Sequence, residues 1–124
     1  MRLLNRWSLL PALLMTAIYI GSSLPASDAP PPFENFDKLQ HFLAYMALTV
    51  SWSFSLNKDL INNFRSSAIL SLLYGIAIEI HQAGLPDRTP SLLDIAANGT
   101  GCIAALVILQ ISAREISTEP KKKQ

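Results

Sequence analysis

Residues 92–111 of this chain read LLDIAANGTGCIAALVILQI. The only charged residue in this run is Asp94, which stands near its beginning. About 20 consecutive apolar residues in an α-helix are enough to cross the ~30 Å hydrocarbon core of a bilayer. The stretch therefore predicts a transmembrane helix that starts beside a polar loop.

Three more apolar stretches precede this one, at 7–23, 41–56 and 66–80. The two middle stretches are short for a membrane span and must use polar flanking residues to complete it. None of them alternates with a period of two, and backbone groups in lipid must be hydrogen-bonded within the protein, so helices are favoured over a barrel. We predict an all-α polytopic membrane protein, a compact bundle of about four transmembrane helices.

The composition agrees with a lipid environment. Of the 124 residues, 15% are charged and 50% are hydrophobic, whereas about 25% of the residues are charged in an ordinary soluble domain. The net charge is only +1, and no basic patch is interleaved with aromatic residues, so we predict no nucleic-acid partner. The predicted partner is the lipid bilayer, and the composition leaves the oligomeric state open.

The distribution of Lys and Arg predicts the topology. With the N-terminus in the cytoplasm, eight of these residues lie inside and two, Lys38 and Arg88, lie outside. The positive-inside rule then places both termini in the cytoplasm. The inward residues are Arg2, Arg6, Lys58, Arg65, Arg114, Lys121, Lys122 and Lys123. As an alternative, the first span is a secretory signal cleaved near Ala29, which would leave three spans.

The chain divides into three regions. Residues 1–36 form a first transmembrane helix and a loop rich in proline, which fixes φ and withholds a backbone donor. Residues 37–111 form a three-helix region. Residues 112–124 form a basic cytoplasmic tail that we expect to be solvated and disordered.

Unusual polar residues gather at the outer ends of helices two to four. Asp37, His41 and Tyr45 follow one another at spacings of four, which puts them on one helix face. Ionisable side chains at these ends cost free energy when they face lipid, so we expect them to face one another or a water-filled cleft. The candidate polar cluster consists of Asp37, Lys38, His41, Tyr45, Glu79, Gln82, Arg88, Asp94 and Asn98.

Structural roles compete with this interpretation. Asp94 stands three residues after Ser91, the spacing of a capping box at a helix start. A single histidine such as His41 is more often a hydrogen-bonded structural residue than a ligand or a base. Glu79 follows a long apolar stretch and needs a partner, for which Arg88, Lys38 and His41 are the candidates. Of these, we expect Arg88 to reach it across the following turn.

Small residues repeat every four positions in the fourth helix, at Ala97, Gly101 and Ala105. Such a stripe permits a close approach of a neighbouring helix backbone. We interpret it as a packing surface that presses Asn98 against another helix.

Three separated blocks carry a resemblance to a known family. They are DKLQHFLAY at 37–45, EIHQ at 79–82 and PDRTPSLLDIAANGTG at 86–101. In this order they resemble the VanZ-like family of bacterial membrane proteins, although Asp87 replaces a glycine that is usual before the arginine. The resemblance implies a bacterial inner (cytoplasmic) membrane location, a four-helix architecture and a role at the cell envelope. The family's namesake is associated with low-level resistance to the glycopeptide teicoplanin.

Several functions are compatible with these residues. The first is binding of a lipid-linked or cell-wall-derived anionic group, for which Lys38 and Arg88 are suited. The second is an intramembrane enzyme with His41 as general acid or base, so enzyme status stays open. A metal site built from His41, Glu79, His81 and Asp94 has no recognised ligand spacing, and we assign no metal and no cofactor. The last is a purely structural polar network.

Overall fold

The computed structural model describes residues 5–25, 27–56 and 60–118, and this part of the chain contains four α-helices and no β-strand. They are α1 (Leu9–Ser23), α2 (Phe36–Ser55), α3 (Leu60–Gln82) and α4 (Leu92–Thr118). A single 3-10 turn, Arg6–Ser8, leads into α1. The predicted all-α class and the number of helices are confirmed.

Three of the four helices, α2, α3 and α4, are longer than the apolar stretches that predicted them, whereas α1 begins two residues after its stretch 7–23 does. α2 begins five residues before the apolar stretch 41–56, and α3 extends beyond 66–80 at both ends. α4 continues through residues 112–118, which we assigned to the disordered tail, because no glycine or proline interrupts them. Residues 119–124, with their three lysines, lie outside the described residues, as do Arg2 and Lys58.

The four helices alternate in direction. At one end, the Asn5 side chain donates to the Phe54 carbonyl oxygen at 2.7 Å, which brings the start of α1 to the end of α2. Asn63 Nδ2 donates to the Leu56 carbonyl oxygen at 2.9 Å, so the start of α3 lies there as well. At the opposite end of the bundle, the last residues of α1 and α3 therefore lie beside the first residues of α2 and α4. We call this the cluster end.

The bundle is closest packed where α2 crosses α4 at Gly101. A Cβ atom on this residue would lie 2.2 Å from the Phe42 carbonyl oxygen, so the two backbones touch at this point. Ala105, one turn further along α4, is fully buried. The prediction of a small-residue packing stripe is thus confirmed, and the close approach sets the position of every α4 side chain relative to α2.

Two buried serines, Ser51 and Ser67, are satisfied by carbonyl oxygens of their own helices. Ser51 donates to the Leu48 carbonyl oxygen at 2.7 Å, and Ser67 donates to the Asn63 carbonyl oxygen at 2.6 Å. Such bonds to carbonyl groups three or four residues earlier let a small polar residue be buried without a partner on another helix. This explains how serines occur within otherwise apolar stretches.

Within the described residues, one helix is long enough and apolar enough to cross a membrane, judged by its length and composition alone. It is α4 over Leu92–Ser117, with a mean hydropathy of 1.9. This helix contains the stretch that we quoted first, and it agrees with the prediction made from that stretch.

Candidate functional site

An ion pair joins the first turns of α2 and α4. Lys38 Nζ donates to Asp37 Oδ2 at 2.5 Å and also to Asp94 Oδ1 on the other helix. The side chains of Lys38 and Asp94 are 25% and 13% exposed, so this ion pair is partly buried.

His41 is held between two residues of α4. Its Nδ1 lies 2.9 Å from Asn98 Oδ1, and its Nε2 lies 3.7 Å from Asp94 Oδ2. An amide oxygen only accepts hydrogen bonds, so Nδ1 must carry the proton in this contact and donate a hydrogen bond to Asn98 Oδ1. In the neutral ring, this leaves the Nε2 lone pair facing the Asp94 carboxylate.

Glu79 caps the start of α4 from the end of α3. Its Oε2 accepts a hydrogen bond from the Ser91 backbone N–H at 3.1 Å, and its side chain is nearly inaccessible to solvent. In a capping box this N–H would bond to Asp94, three residues later. The capping-box interpretation of Asp94 is therefore wrong, because Glu79 takes that position and Asp94 is free to face Lys38 and His41.

Arg88 does not pair with Glu79, which contradicts our expectation. Its guanidinium donates to the Leu24 carbonyl oxygen at 2.6 and 3.0 Å and to the Gly21 carbonyl oxygen at 3.3 Å. The last carbonyl groups of a helix have no intrahelical donors, so the end of α1 competes for the arginine. Sequence spacing could not predict this competition, because the end of α1 lies more than 60 residues before Arg88 in the chain.

The end of α3 also holds α1. Gln82 Nε2 donates to the Ser22 carbonyl oxygen at 3.1 Å. His81 Nε2 lies 3.1 Å from the Ser23 hydroxyl, and its ring centroid lies 5.0 Å from that of Tyr19. His81 therefore belongs to the contact with α1 and lies outside the group around His41.

Six buried side-chain polar atoms have no hydrogen-bond partner among the described residues. Three of these, Tyr45 Oη, Glu79 Oε1 and Asn98 Nδ2, belong to the predicted cluster. Gly75, one turn before Glu79, makes room for two of these side chains, since a Cβ there would lie 2.8 Å from Asn98 Nδ2 and 2.9 Å from Tyr45 Cε1. Polar atoms buried without partners cost free energy, so their grouping is a feature that calls for a ligand, an ion or water.

An open cleft of about 460 Å³ lies beside this group, between α1 and α2. Its apolar wall includes Leu14, Ile18 and Ala44, and its polar rim includes His41 and Arg88. Asp37, Tyr45 and Gln82 also line it. The structure thus places most of the predicted cluster at one end of the bundle, in two groups: one between α2, α3 and α4, and one that holds α1.

Sequence reasoning missed two parts of this site. Gly75 is a single glycine in an apolar helix, a pattern that signals close packing and could have been noticed. The cleft wall from α1, formed by residues such as Leu14 and Ile18, carries no such signal because apolar residues in a helix are equally suited to lipid and to a ligand.

The fold and the cluster define a small all-α bundle protein with charged side chains enclosed between helix ends. The chain belongs to the VanZ/LLP1 family, whose model matches residues 3–113. The resemblance seen in the three blocks is thereby confirmed, and the match extends it through α1. No curated protein and no solved structure matches the chain.

Proposed function

We propose that this VanZ/LLP1 protein is a multi-pass protein of the bacterial inner membrane. The lengths of α2, α3 and α4 correspond to about 30, 35 and 40 Å, enough for the ~30 Å hydrocarbon core. Large apolar side chains point outward from several helices, including Leu13, Leu73 and Ile103, each with more than half of its surface exposed. The described residues expose 22 large apolar side chains in all, which suits a lipid environment better than water.

The proposed topology has both termini in the cytoplasm and the cluster end outside. Arg6, Arg65 and Arg114 lie toward the end of the bundle opposite the cluster, whereas Lys38 and Arg88 lie at the cluster end. This distribution within the described residues supports the orientation inferred from the positive-inside rule.

The proposed role of the cleft is to bind an anionic amphiphile, such as a lipid-linked or cell-wall-derived group. The observation that carries this proposal is the cleft itself, with apolar side chains along α1 and α2 and Arg88 at its rim. A hydrocarbon chain would contact Leu14, Ile18 and Ala44, while its polar group would reach the rim. Ligand sites commonly combine an apolar lining with a few placed polar groups in this way.

Arg88 is the cation suited to the anionic group. Lys38 is already bonded to two carboxylates, which corrects our view that both cations serve this purpose. Arg88 makes no ion pair with any described residue and binds only carbonyl oxygens. A guanidinium whose charge is not balanced by an acid retains attraction for phosphate or carboxylate.

The proposal is tested by lipid binding to the full chain in a non-ionic detergent. Native mass spectrometry would compare a polyprenyl phosphate with phosphatidylcholine as probes. Replacing Arg88→Gln should weaken binding of the phosphate probe about tenfold or more, because a hydrogen bond to a charged group contributes about 1.5–3 kcal/mol. Ala44→Phe, which fills the cleft, should weaken binding of both probes.

Arg65→Gln is the matched control, since it removes an exposed arginine at the other end of the bundle. It should leave the affinity for both probes unchanged. Equal affinity of the wild-type chain for both probes, or equal effects of the two arginine replacements, would contradict the assignment. The same variants can be tested for the low-level glycopeptide resistance that is associated with the family's namesake.

A second candidate function is acid–base catalysis on the bound group, favoured by the position of His41 on the cleft wall. Its Nε2 is the ring nitrogen left available by the Asn98 contact. Catalysis would appear as a change in the mass of the polyprenyl phosphate after incubation, and it should be absent in His41→Gln.

A further inference from the structure

Three side chains from three different helices bring possible metal ligands together. They are His41 of α2, Glu79 of α3 and Asp94 of α4, and one ligand atom of each lies within 4.8 Å of the other two. We propose that these residues form a binding site for a divalent transition-metal ion. The site shares His41 with the cleft wall, but the proposal rests on the cluster between α2, α3 and α4 and requires no ligand in the cleft.

The spacing of the ligand atoms is close to that around a metal ion. With bonds of about 2.1 Å to nitrogen and oxygen, neighbouring ligands of a tetrahedral Zn²⁺ lie about 3.4 Å apart. His41 Nε2 and Asp94 Oδ2 are 3.7 Å apart. Small rotations of the three side chains are therefore sufficient to close the site around an ion.

The hydrogen bond between His41 and Asn98 prepares the histidine as a ligand. Asn98 Oδ1 accepts from Nδ1, which leaves Nε2 as the unprotonated nitrogen in the neutral ring. Metal-binding histidines typically donate their other ring N–H to an oxygen acceptor in this manner, and the contact fixes both the tautomer and the ring orientation. An ion bound at Nε2 would also lie beside the Asp94 carboxylate, whose Oδ2 is 3.7 Å from this nitrogen.

Glu79 supplies an independent observation. Its side chain is only 3% exposed, and its Oε1 has no hydrogen-bond partner among the described residues, while Oε2 is bonded to the Ser91 N–H. A carboxylate oxygen buried in this way is costly unless a cation or a donor meets it. Because Oε2 is bonded to the Ser91 N–H, Oε1 is the carboxylate oxygen available to bind an ion. Carboxylates that bind metal ions are commonly held by a hydrogen bond in this way.

The formal charge also favours a divalent cation. Asp37, Glu79 and Asp94 contribute three negative charges and Lys38 one positive charge, a sum of −2 with His41 neutral. A divalent ion would balance this sum. One imidazole and two carboxylates suit Zn²⁺ and similar transition metals better than Mg²⁺, which prefers oxygen ligands and retains its waters. Three protein ligands leave a fourth position for water or substrate.

The test uses the full chain in a non-ionic detergent, purified through a histidine-free tag and treated with a chelator. Titration with Co²⁺, followed by its visible absorption, should show one ion bound per chain, and Zn²⁺ should displace it. Mg²⁺ at the same concentration should not. Absence of Co²⁺ binding to the wild-type chain would overturn the proposal, and this result does not depend on any variant folding correctly.

Single-residue variants show which side chains bind the ion. His41→Gln, Glu79→Gln and Asp94→Asn should each weaken Co²⁺ binding by more than 100-fold, because each removes a direct ligand. Asn98→Ala, which affects only the orientation of His41, should weaken it about 10- to 100-fold.

The chain offers a matched control at the same end of the bundle. His81→Gln removes the other histidine, which contacts Ser23 and Tyr19. It should bind Co²⁺ within about threefold of the wild-type chain. A loss in His81→Gln equal to that in His41→Gln, or normal binding by His41→Gln, would refute the site.

Discussion

Gly101 should be intolerant of even one added methyl group. In Gly101→Ala the new Cβ would lie 2.2 Å from the Phe42 carbonyl oxygen, whereas close carbon–oxygen contacts in proteins lie at about 3.3–3.6 Å. α4 must therefore move about 1 Å away from α2. A backbone contact cannot be relieved by rotating a side chain, so the whole crossing must shift.

The magnitude follows from three contributions. Overpacking of a tight interface costs about 1–3 kcal/mol. The same movement would stretch the His41–Asn98 contact from 2.9 Å to about 3.9 Å, beyond hydrogen-bond range, which removes about 1 kcal/mol. Alanine favours a helix by up to about 1 kcal/mol over glycine. The free energy of unfolding should therefore fall by about 1–3 kcal/mol.

Gly99→Ala is the matched control, two residues away on the same helix. Its Cβ would meet only Leu72 Cδ1 at 3.7 Å, an ordinary contact. This variant should be stabilised by up to about 1 kcal/mol through helix propensity. The two alanine variants should thus differ by about 2–4 kcal/mol.

The assay is unfolding by SDS in mixed micelles, followed by tryptophan fluorescence, with the free energy taken from the transition. The reasoning is refuted if Gly101→Ala is as stable as Gly99→Ala. That result would mean that α2 and α4 do not cross with their backbones in contact at this glycine.

Two further predictions concern the buried acid and the topology. Glu79→Ala should lower the free energy of unfolding by about 1–3 kcal/mol, because it leaves the partly buried Ser91 N–H without its acceptor. Glu79→Gln keeps an acceptor oxygen and should stay within about 1 kcal/mol of the wild-type value in the same SDS titration. Equal losses in both variants would contradict the capping role. The positive-inside rule places the C-terminus in the cytoplasm. A green fluorescent protein fused to this terminus should therefore fluoresce in cells, and a periplasmic phosphatase fused there should be inactive. The reverse pattern would invert the proposed orientation of the cluster.

Local features of the sequence were sufficient for the helices and for part of their packing. Apolar stretches separated by polar or proline-containing segments predicted four helices, because helix formation depends on residues within a few positions of one another. The stripe at Gly101 and Ala105 predicted a close contact for the same reason, since residues four apart share a helix face. The three family blocks likewise identified the chain as VanZ-like before any coordinates were considered.

Such patterns did not predict the hydrogen-bond and ion-pair partners of the polar side chains. The spacing of Ser91 and Asp94 predicted a capping box, yet Glu79 approaches from another helix and takes the same N–H group. Arg88 was expected to meet the nearby Glu79, but it binds the end of α1 instead. In both cases, groups that are distant in sequence compete for the same hydrogen-bonding partner. Sequence spacing identifies only the candidate partner that is nearest along the chain.

By itself, then, the sequence determined the all-α class, the helix order and the end of the bundle at which the unusual polar residues collect. Only the tertiary structure decided that Lys38 is neutralised by two carboxylates, that Arg88 and Gln82 hold α1, and that His41 faces Asp94. The physical reason is that a helix face is set by a local repeat of 3.6 residues, whereas a hydrogen bond or ion pair is set by distances of about 3 Å between atoms on different helices. Those distances depend on how closely the helices cross, and in this protein the contact of Gly101 with the α2 backbone sets the crossing of α2 and α4.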